Sequence, residues 1–287
     1  CKNKGINAIG IPKTIDNDLR TRTMHHYNGQ EHETVLCPGF ASGAMAIKKL
    51  ASKLHTTNES HQRIMVLEVM GRDAGWLTGS AVFGGAQMAL IPEIEMTKER
   101  KEFFFESVKE QFMRSPKRSL VIAVSEGVRW WSEEKQQLDV VYASPDLDEY
   151  GHPRFGGISG VIASEISQKL KIEARGQISG YIPRSGKCYE YDRRLTSTLA
   201  DKVVDLLLRG EYGKMPVMKD IVPYSELEEY HTTAIDMGDI GNFPLPQAYY
   251  DSNKFQFSDQ YVDFLTHIIG APYRMEFNHD FPIVIPE

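Results

Sequence analysis

The sequence predicts an α/β fold with a mostly parallel sheet, and three observations predict it. Short apolar runs alternate along the chain with longer segments of helical periodicity. Their spacing is that of strand–helix–strand units. Polar, chemically capable residues follow several of the strands, at the carboxyl ends where open α/β sheets bind ligands. The chain of 287 residues is long enough for one large or two ordinary domains.

Taken in order, Ile6–Ile11 is a short apolar strand stopped by Pro12. Met45–Leu54 places Met45, Ile47, Leu50 and Leu54 near helical spacing. Ile64–Met70 reads as a strand ending at Gly71, Trp76–Phe83 as a helix, and Met88–Ile91 as a strand cut by Pro92. In Lys98–Met113, residues Phe104, Phe105, Val108 and Phe112 share one helical face, with Thr97 as N-cap. Leu120–Val124 is a buried strand that runs into Ser125-Glu126-Gly127. Helices are predicted over Ile158–Leu170 and Leu195–Leu208, the second closed by Gly210, with a strand at Gln177–Ile182 between them. Ser225–Tyr230 is a short helix, Asp236–Tyr250 a Gly- and Pro-containing loop, and Ser258–Ile269 a helix with Tyr261, Phe264, Leu265 and Ile268 inward.

Composition excludes several classes. Apolar residues at 41% and charged residues at 25% argue against disorder and coiled coil. With 33 Lys+Arg against 39 Asp+Glu, the net charge of -6 argues against a nucleic-acid footprint. No apolar run is long enough to span a bilayer, so no membrane partner is expected. Cys1, Cys37 and Cys188 are too scattered for a disulfide framework or a paired-cysteine zinc site, which suits a cytoplasmic setting.

The sharpest stretch is Gly10-Ile11-Pro12-Lys13-Thr14-Ile15-Asp16-Asn17-Asp18. One carboxylate can take a proton from an attacking hydroxyl, a second can orient it or support a metal, and the lysine can meet phosphate oxygens. An ordinary Asx-rich turn after a strand is the alternative. Arg63, Arg72, Arg175 and Arg184 could build a local anion site, or could be four solvated arginines. Glu126 could bind sugar hydroxyls or mark where a strand meets solvent. His25, His26 and His32 read as a solvated basic loop rather than metal ligands, because none of their pairs has i,i+4 spacing. There is no P-loop, G-x-G-x-x-G or G-x-S-x-G motif.

Five ordered blocks resemble the phosphofructokinase family: Gly10–Leu19, His61–Arg72, Ala89–Glu93, Ala123–Gly127 and Ala174–Gly186. The resemblance implies two Rossmann-like α/β/α lobes with mostly parallel sheets. A donor lobe would comprise 1–27 and 183–235, and a fructose 6-phosphate lobe 28–182 and 236–287. It implies transfer of a phosphoryl group to the 1-hydroxyl of fructose 6-phosphate, with Mg2+ as cofactor. Asp16 would be the general base, Thr14 would bond the transferring phosphoryl, and Asp18 would assist Asp16 or the magnesium. Met70, Gly71 and Arg72 would line the sugar-phosphate site, and Glu126 would hold sugar hydroxyls. Arg175, Tyr181, Arg184 and Arg63 would surround the 6-phosphate, Arg63 and Arg175 reaching in from a neighbouring subunit of a homodimer or homotetramer. Lys13 resembles the pyrophosphate-using branch, where added positive charge suits a compact donor; ATP is the alternative donor, and a non-catalytic sugar-phosphate-binding subunit the alternative role. The family's Gly-Gly-Asp donor motif, with its principal metal ligand, is expected upstream of Cys1. The chain therefore reads as N-terminally truncated, poorly active on its own and with exposed core surface.

Overall fold

A computed structural model describes residues 5–147 and 153–273; Cys1 lies outside them. After an irregular opening segment come β1 (Thr23–Tyr27) and β2 (Gln30–Thr34), an antiparallel hairpin with His25 opposite His32. Next are α1 (Phe40–His61), β3 (Ile64–Val69), α2 (Trp76–Phe83), β4 (Met88–Leu90), α3 (Lys98–Arg114) and β5 (Leu120–Ser125). Two small antiparallel pairs follow, β6 (Trp130–Ser132) with β7 (Gln137–Asp139) and β8 (Tyr142–Leu147) with β9 (Pro153–Phe155). After α4 (Ile158–Leu170), β10 (Ala174–Ile178) and α5 (Glu190–Leu208), β11 (Lys214–Met218) pairs antiparallel with β12 (Thr232–Asp236). A last hairpin, β13 (Tyr250–Asp251) and β14 (Gln256–Phe257), leads into α6 (Asp259–Ile269).

The central sheet is parallel, in the order β10–β3–β5–β4. Strand alternation splits its side chains between two cores. Met65, Leu67, Val69, Val121 and Ala123 face one core, packed by α1, α2 and α6. Ile64, Val66, Leu120, Ile122 and Val124 face the other, packed by Phe104, Phe105, Val108 and Phe112 of α3 and by Ile158, Ile162 and Ile166 of α4. Both faces of β3 and β5 are thus buried, which is why these strands read as unbroken apolar runs. Each fully buried side chain of this kind contributes roughly 1.5–3 kcal/mol.

Helix ends show how the chain caps itself. The Thr97 hydroxyl accepts from Arg100 N at 3.3 Å, and the Ser258 hydroxyl from Tyr261 N at 3.4 Å. Helix α1 begins five residues before Met45 and runs past Leu54 to His61, and α5 begins at Glu190 rather than Leu195. The α1 cap comes from far away: buried Asp192 of α5 accepts from Gly39 N at 2.9 Å and Ser42 N at 2.6 Å. A carboxylate there satisfies two orphan donors and complements the helix dipole.

Other elements correct the expectations. Residues 6–11 form no strand. Gly213 N donates to Ala8 O at 2.8 Å and Gly10 N to Lys214 O at 3.0 Å, but the ladder stops there, with Ile6 and Ile11 about half exposed. Val204, Leu207 and Leu208 on α5 are exposed as well. The strand expected at Gln177–Ile182 lies instead at Ala174–Ile178, in register with Ile64–Glu68, and Ile182–Arg184 is a 3-10 turn. Ser225–Tyr230 gives two 3-10 turns, Tyr224–Glu226 and Glu229–His231, because so short a stretch does not meet the cost of helix nucleation. The stretch after β12 is irregular apart from 3-10 turns at Met237–Asp239 and Gln247–Tyr249. No described helix is long and apolar enough to cross a membrane.

Candidate active site

At the carboxyl end of the sheet, β3 runs into Met70-Gly71-Arg72-Asp73 and β5 into Glu126-Gly127. The two turns are locked together. Ser125 Oγ donates to Gly71 O at 2.6 Å, Gly127 N donates to the same oxygen at 3.3 Å, and Glu126 N donates to Val69 O at 3.0 Å. Gly71 has φ 150°, and a Cβ on it would lie 2.7 Å from Ala74 O and Ser125 Oγ. A Cβ on Gly127 would lie 1.7 Å from the backbone oxygen of Arg72. Backbone contact of this kind fixes where the Arg72 and Glu126 side chains start.

The 13–18 loop approaches from the other side. Thr14 makes an isolated parallel bridge with Gly39, at the start of α1. Asp16 N donates to Thr14 Oγ1 at 3.0 Å, and the Thr14 hydroxyl donates to the Asp18 carboxylate. Asn17, between the two acids, is buried in left-handed backbone with φ 56°. Its amide donates to Val35 O at 3.1 Å and accepts from Cys37 N at 2.9 Å. The inward amide anchors the loop and leaves the acids on its open side. Cys37 is buried beneath it, and burial pushes its thiol up to about 12.

The electrostatics follow from this crowding. Burial raises Asp16 to about 6, helped by the charges of Asp18 and Asp73 and opposed by Arg72 and Arg184. Burial also raises Asp18, with Asp73 adding to the effect. Glu126 is pushed up to about 7, mainly by burial and then by Asp16 and Glu68, while the Gly71 N–H and Arg72 resist. The Arg184 guanidinium lies 4.5 Å from the Tyr181 ring centre, and that of Arg72 5.2 Å from Phe155. Lys13 is exposed, as is Tyr181 at 70%, while Met70 is half-buried against the core. A carboxyl poised near neutrality beside guanidinium groups can take up a proton next to a bound phosphate.

Asp16, Asp18, Arg72, Glu126 and Arg184 therefore share one electrostatic field, but Arg63 and Arg175 do not join them within the chain. Arg63 precedes β3, and Arg175 pairs with Met65 at the start of that strand. Six residues of strand put them roughly 20 Å from Gly71. Both arginines meet Glu173 there, at 3.6 and 3.1 Å.

The histidine reading also needs correction. His25, His26 and His32 lie on the β1–β2 hairpin, and His25 is buried rather than solvated. Burial holds His25 below its ordinary value, against its bond to Asp263.

Sequence reasoning missed Glu68, and it gave Ser125 no role in locking the two turns together. Glu68 is buried within β3 and accepts from Gly157 N at 3.0 Å, Ser159 N at 2.9 Å and Ser159 Oγ at 3.0 Å, pinning the start of α4. A lone acid in the run I-M-V-L-E-V was a readable signal, because an unpaired charge is rarely buried.

Residues 1–207 match the family model described as Phosphofructokinase. "ATP-dependent 6-phosphofructokinase 2" of Clostridium perfringens is 36% identical over 238 residues, covering 81% of this chain and 59% of that protein. "Pyrophosphate--fructose 6-phosphate 1-phosphotransferase" of Streptomyces coelicolor is 34% identical over 221 residues, covering 76% and 58%. The chain thus spans less than two thirds of the length of these relatives. The crystal structure of a pyrophosphate-dependent phosphofructokinase from Marinobacter aquaeolei superposes with a TM-score of 0.71 at 21% identity, covering 98% of this chain and 65% of that one, which shows the fold. On the family match and the two relatives, the chain belongs to the phosphofructokinase family.

Proposed function

We propose that the protein is a 6-phosphofructokinase-type phosphotransferase that moves a phosphoryl group from pyrophosphate to the 1-hydroxyl of fructose 6-phosphate. The observation that carries this reading is the Asp16 carboxyl, half-buried with Asp18 in the field of Arg72 and Arg184 beside the turns that end β3 and β5. As the hydroxyl oxygen bonds to phosphorus, its proton passes to the Asp16 carboxylate and the remaining phosphate leaves. Thr14 bonds the transferring group, and Arg72 offsets the negative charge of the transition state. Met70 and Gly71 line the acceptor, Glu126 holds its hydroxyls, and Tyr181 and Arg184 frame its 6-phosphate. The charges of Asp18 and Asp73 both act on Asp16, and that of Asp73 acts on Asp18; carboxylate oxygens are the ligand type that suits Mg2+. When bound, Mg2+ would neutralise phosphate charge, with Asp18 as the residue of this chain that supports it.

The donor and acceptor lobes would divide as 1–27 with 183–235 and 28–182 with 236–287. Arg63 and Arg175, on the exposed β10 side of the sheet, suit a site completed between copies in a cytoplasmic homodimer or homotetramer. Lys13 supports pyrophosphate through its added positive charge. An ATP-using reading is favoured equally by the relatives' names. A coupled assay of the full-length protein with Mg2+ and fructose 6-phosphate should yield fructose 1,6-bisphosphate; no product with either donor overturns the reading. Replacing Lys13 with Gly should lower kcat/KM for pyrophosphate by roughly tenfold or more, as expected for a lost charge-assisted contact. Acceptor KM should hold. An unchanged donor constant would remove Lys13 from the donor site.

A further inference from the structure

A second cluster of ligating side chains lies where the β1–β2 hairpin meets α6. His25 is 1% exposed, with Nε2 2.9 Å from Asp263 Oδ2 and Nδ1 3.1 Å from the Tyr249 hydroxyl. Asp263 and His267 stand one turn apart on α6, the i,i+4 spacing that sets two side chains on one helix face. His267 Nδ1 is 3.9 Å from Asp263 Oδ2, and its ring centre is 6.0 Å from that of His25. One ligand atom from each of the three residues lies within 4.8 Å of the others.

We propose that His25, Asp263 and His267 form a site for a divalent transition-metal ion of the zinc class, with solvent as a further ligand. Two imidazole nitrogens and one carboxylate oxygen suit Zn2+ or Co2+, whereas Mg2+ prefers an all-oxygen shell. Around an ion bound at about 2.05 Å, tetrahedral ligand atoms sit about 3.3 Å apart. His25 Nε2 and Asp263 Oδ2 therefore need to part by only a few tenths of an ångström as the ion replaces the proton between them. The Tyr249 hydroxyl on Nδ1 is the outer partner that orients a ligating imidazole. The site also has an entry path, since Asp263 and His267 are 39% and 32% exposed while His25 is closed off behind them. Occupancy would tie the hairpin, which begins five residues after Asp18, to the last described helix.

The test uses the full chain titrated with Co2+ and with Zn2+. Four-coordinate Co2+ should give visible d–d bands that Zn2+ abolishes. A hundredfold excess of Zn2+ over its Kd should raise Tm by roughly 5–10 °C, and Mg2+ should not. His267→Ala and Asp263→Asn change the partly exposed ligands and leave buried His25 in place, so both should fold yet lose at least about tenfold in affinity. His26→Ala, on the outer face of the same hairpin, should bind normally. If the unaltered chain gives no Co2+ bands, or if His267→Ala matches it in bands and in Zn2+ stabilisation, the assignment is overturned.

Discussion

Replacing Asp16 with Asn should cut turnover by about a hundred- to ten-thousandfold, leave the KM for fructose 6-phosphate nearly unchanged, and stabilise the fold at neutral pH. The first two effects follow from the proposed role of Asp16, a group that would accept a proton mainly in the transition state. The third follows from linkage. The folded state holds the Asp16 proton up to about pH 6, whereas the unfolded chain releases it near 3.8. Stability from this group is therefore fully present below 3.8 and is lost as pH rises through about 6. At pH 7 the ionised carboxylate costs the fold on the order of 3 kcal/mol, and an amide escapes that cost. Steady-state kinetics and thermal melts at pH 5 and 8 check both halves. The Asn variant should show its full Tm advantage at pH 8 and roughly half of it at pH 5. On the proposed role, turnover of the unaltered protein should fall as pH drops through about 6 and Asp16 takes up a proton. Near-normal turnover in the variant would remove Asp16 as the base.

Replacing Gly127 with Ala should damage both stability and activity through a single methyl group. The new Cβ would sit 1.7 Å from the Arg72 backbone oxygen, a contact that no side-chain rotation relieves. Either the turn after β5 or the turn after β3 must move, and Ser125 Oγ and Gly127 N together hold the second turn through Gly71 O. Overpacking against backbone is expected to cost about 3 kcal/mol, or a Tm drop of roughly 6–12 °C in a domain of this size. Arg72 and Glu126 start from the displaced turns, so kcat/KM should fall by more than the loss of folded protein explains. Activity normalised to folded fraction, measured by near-UV circular dichroism, separates the two effects. Full normalised activity would show that these turns do not set the Arg72 position.

The sheet was legible because its central strands are buried on both faces and so read as apolar runs, and α3 was legible from its four inward residues. The start of α1 was not, because its cap comes from Asp192, 150 residues away from Ser42. The candidate site was legible where chemistry and strand ends coincide, at Arg72 and Glu126, and in the acid pair Asp16 and Asp18 of a loop that follows no strand; Arg184 lies in a 3-10 turn beyond β10. Arg63 and Arg175 sit at the opposite end of their strands, apart from those residues within one chain, which is in keeping with the expectation that they reach into a neighbouring copy; seeing this needs β10 in register with β3. His25 gave no local sign of burial, since its partners Tyr249 and Asp263 arrive from more than two hundred residues later.

Cys37 turns the anchoring of the 13–18 loop into a measurable clock. Its backbone N–H is held by Asn17, and its thiol, pushed up to about 12 and shielded from solvent, offers almost no reactive thiolate at neutral pH. A thiol-directed reagent should modify Cys37 only as fast as that packing opens, while exposed Cys188 reacts at once and serves as the reference within the same molecule. Comparing the Cys37 phase in two time courses, with and without fructose 6-phosphate, would give the opening rate of the loop that carries Asp16 and show whether the sugar phosphate slows it.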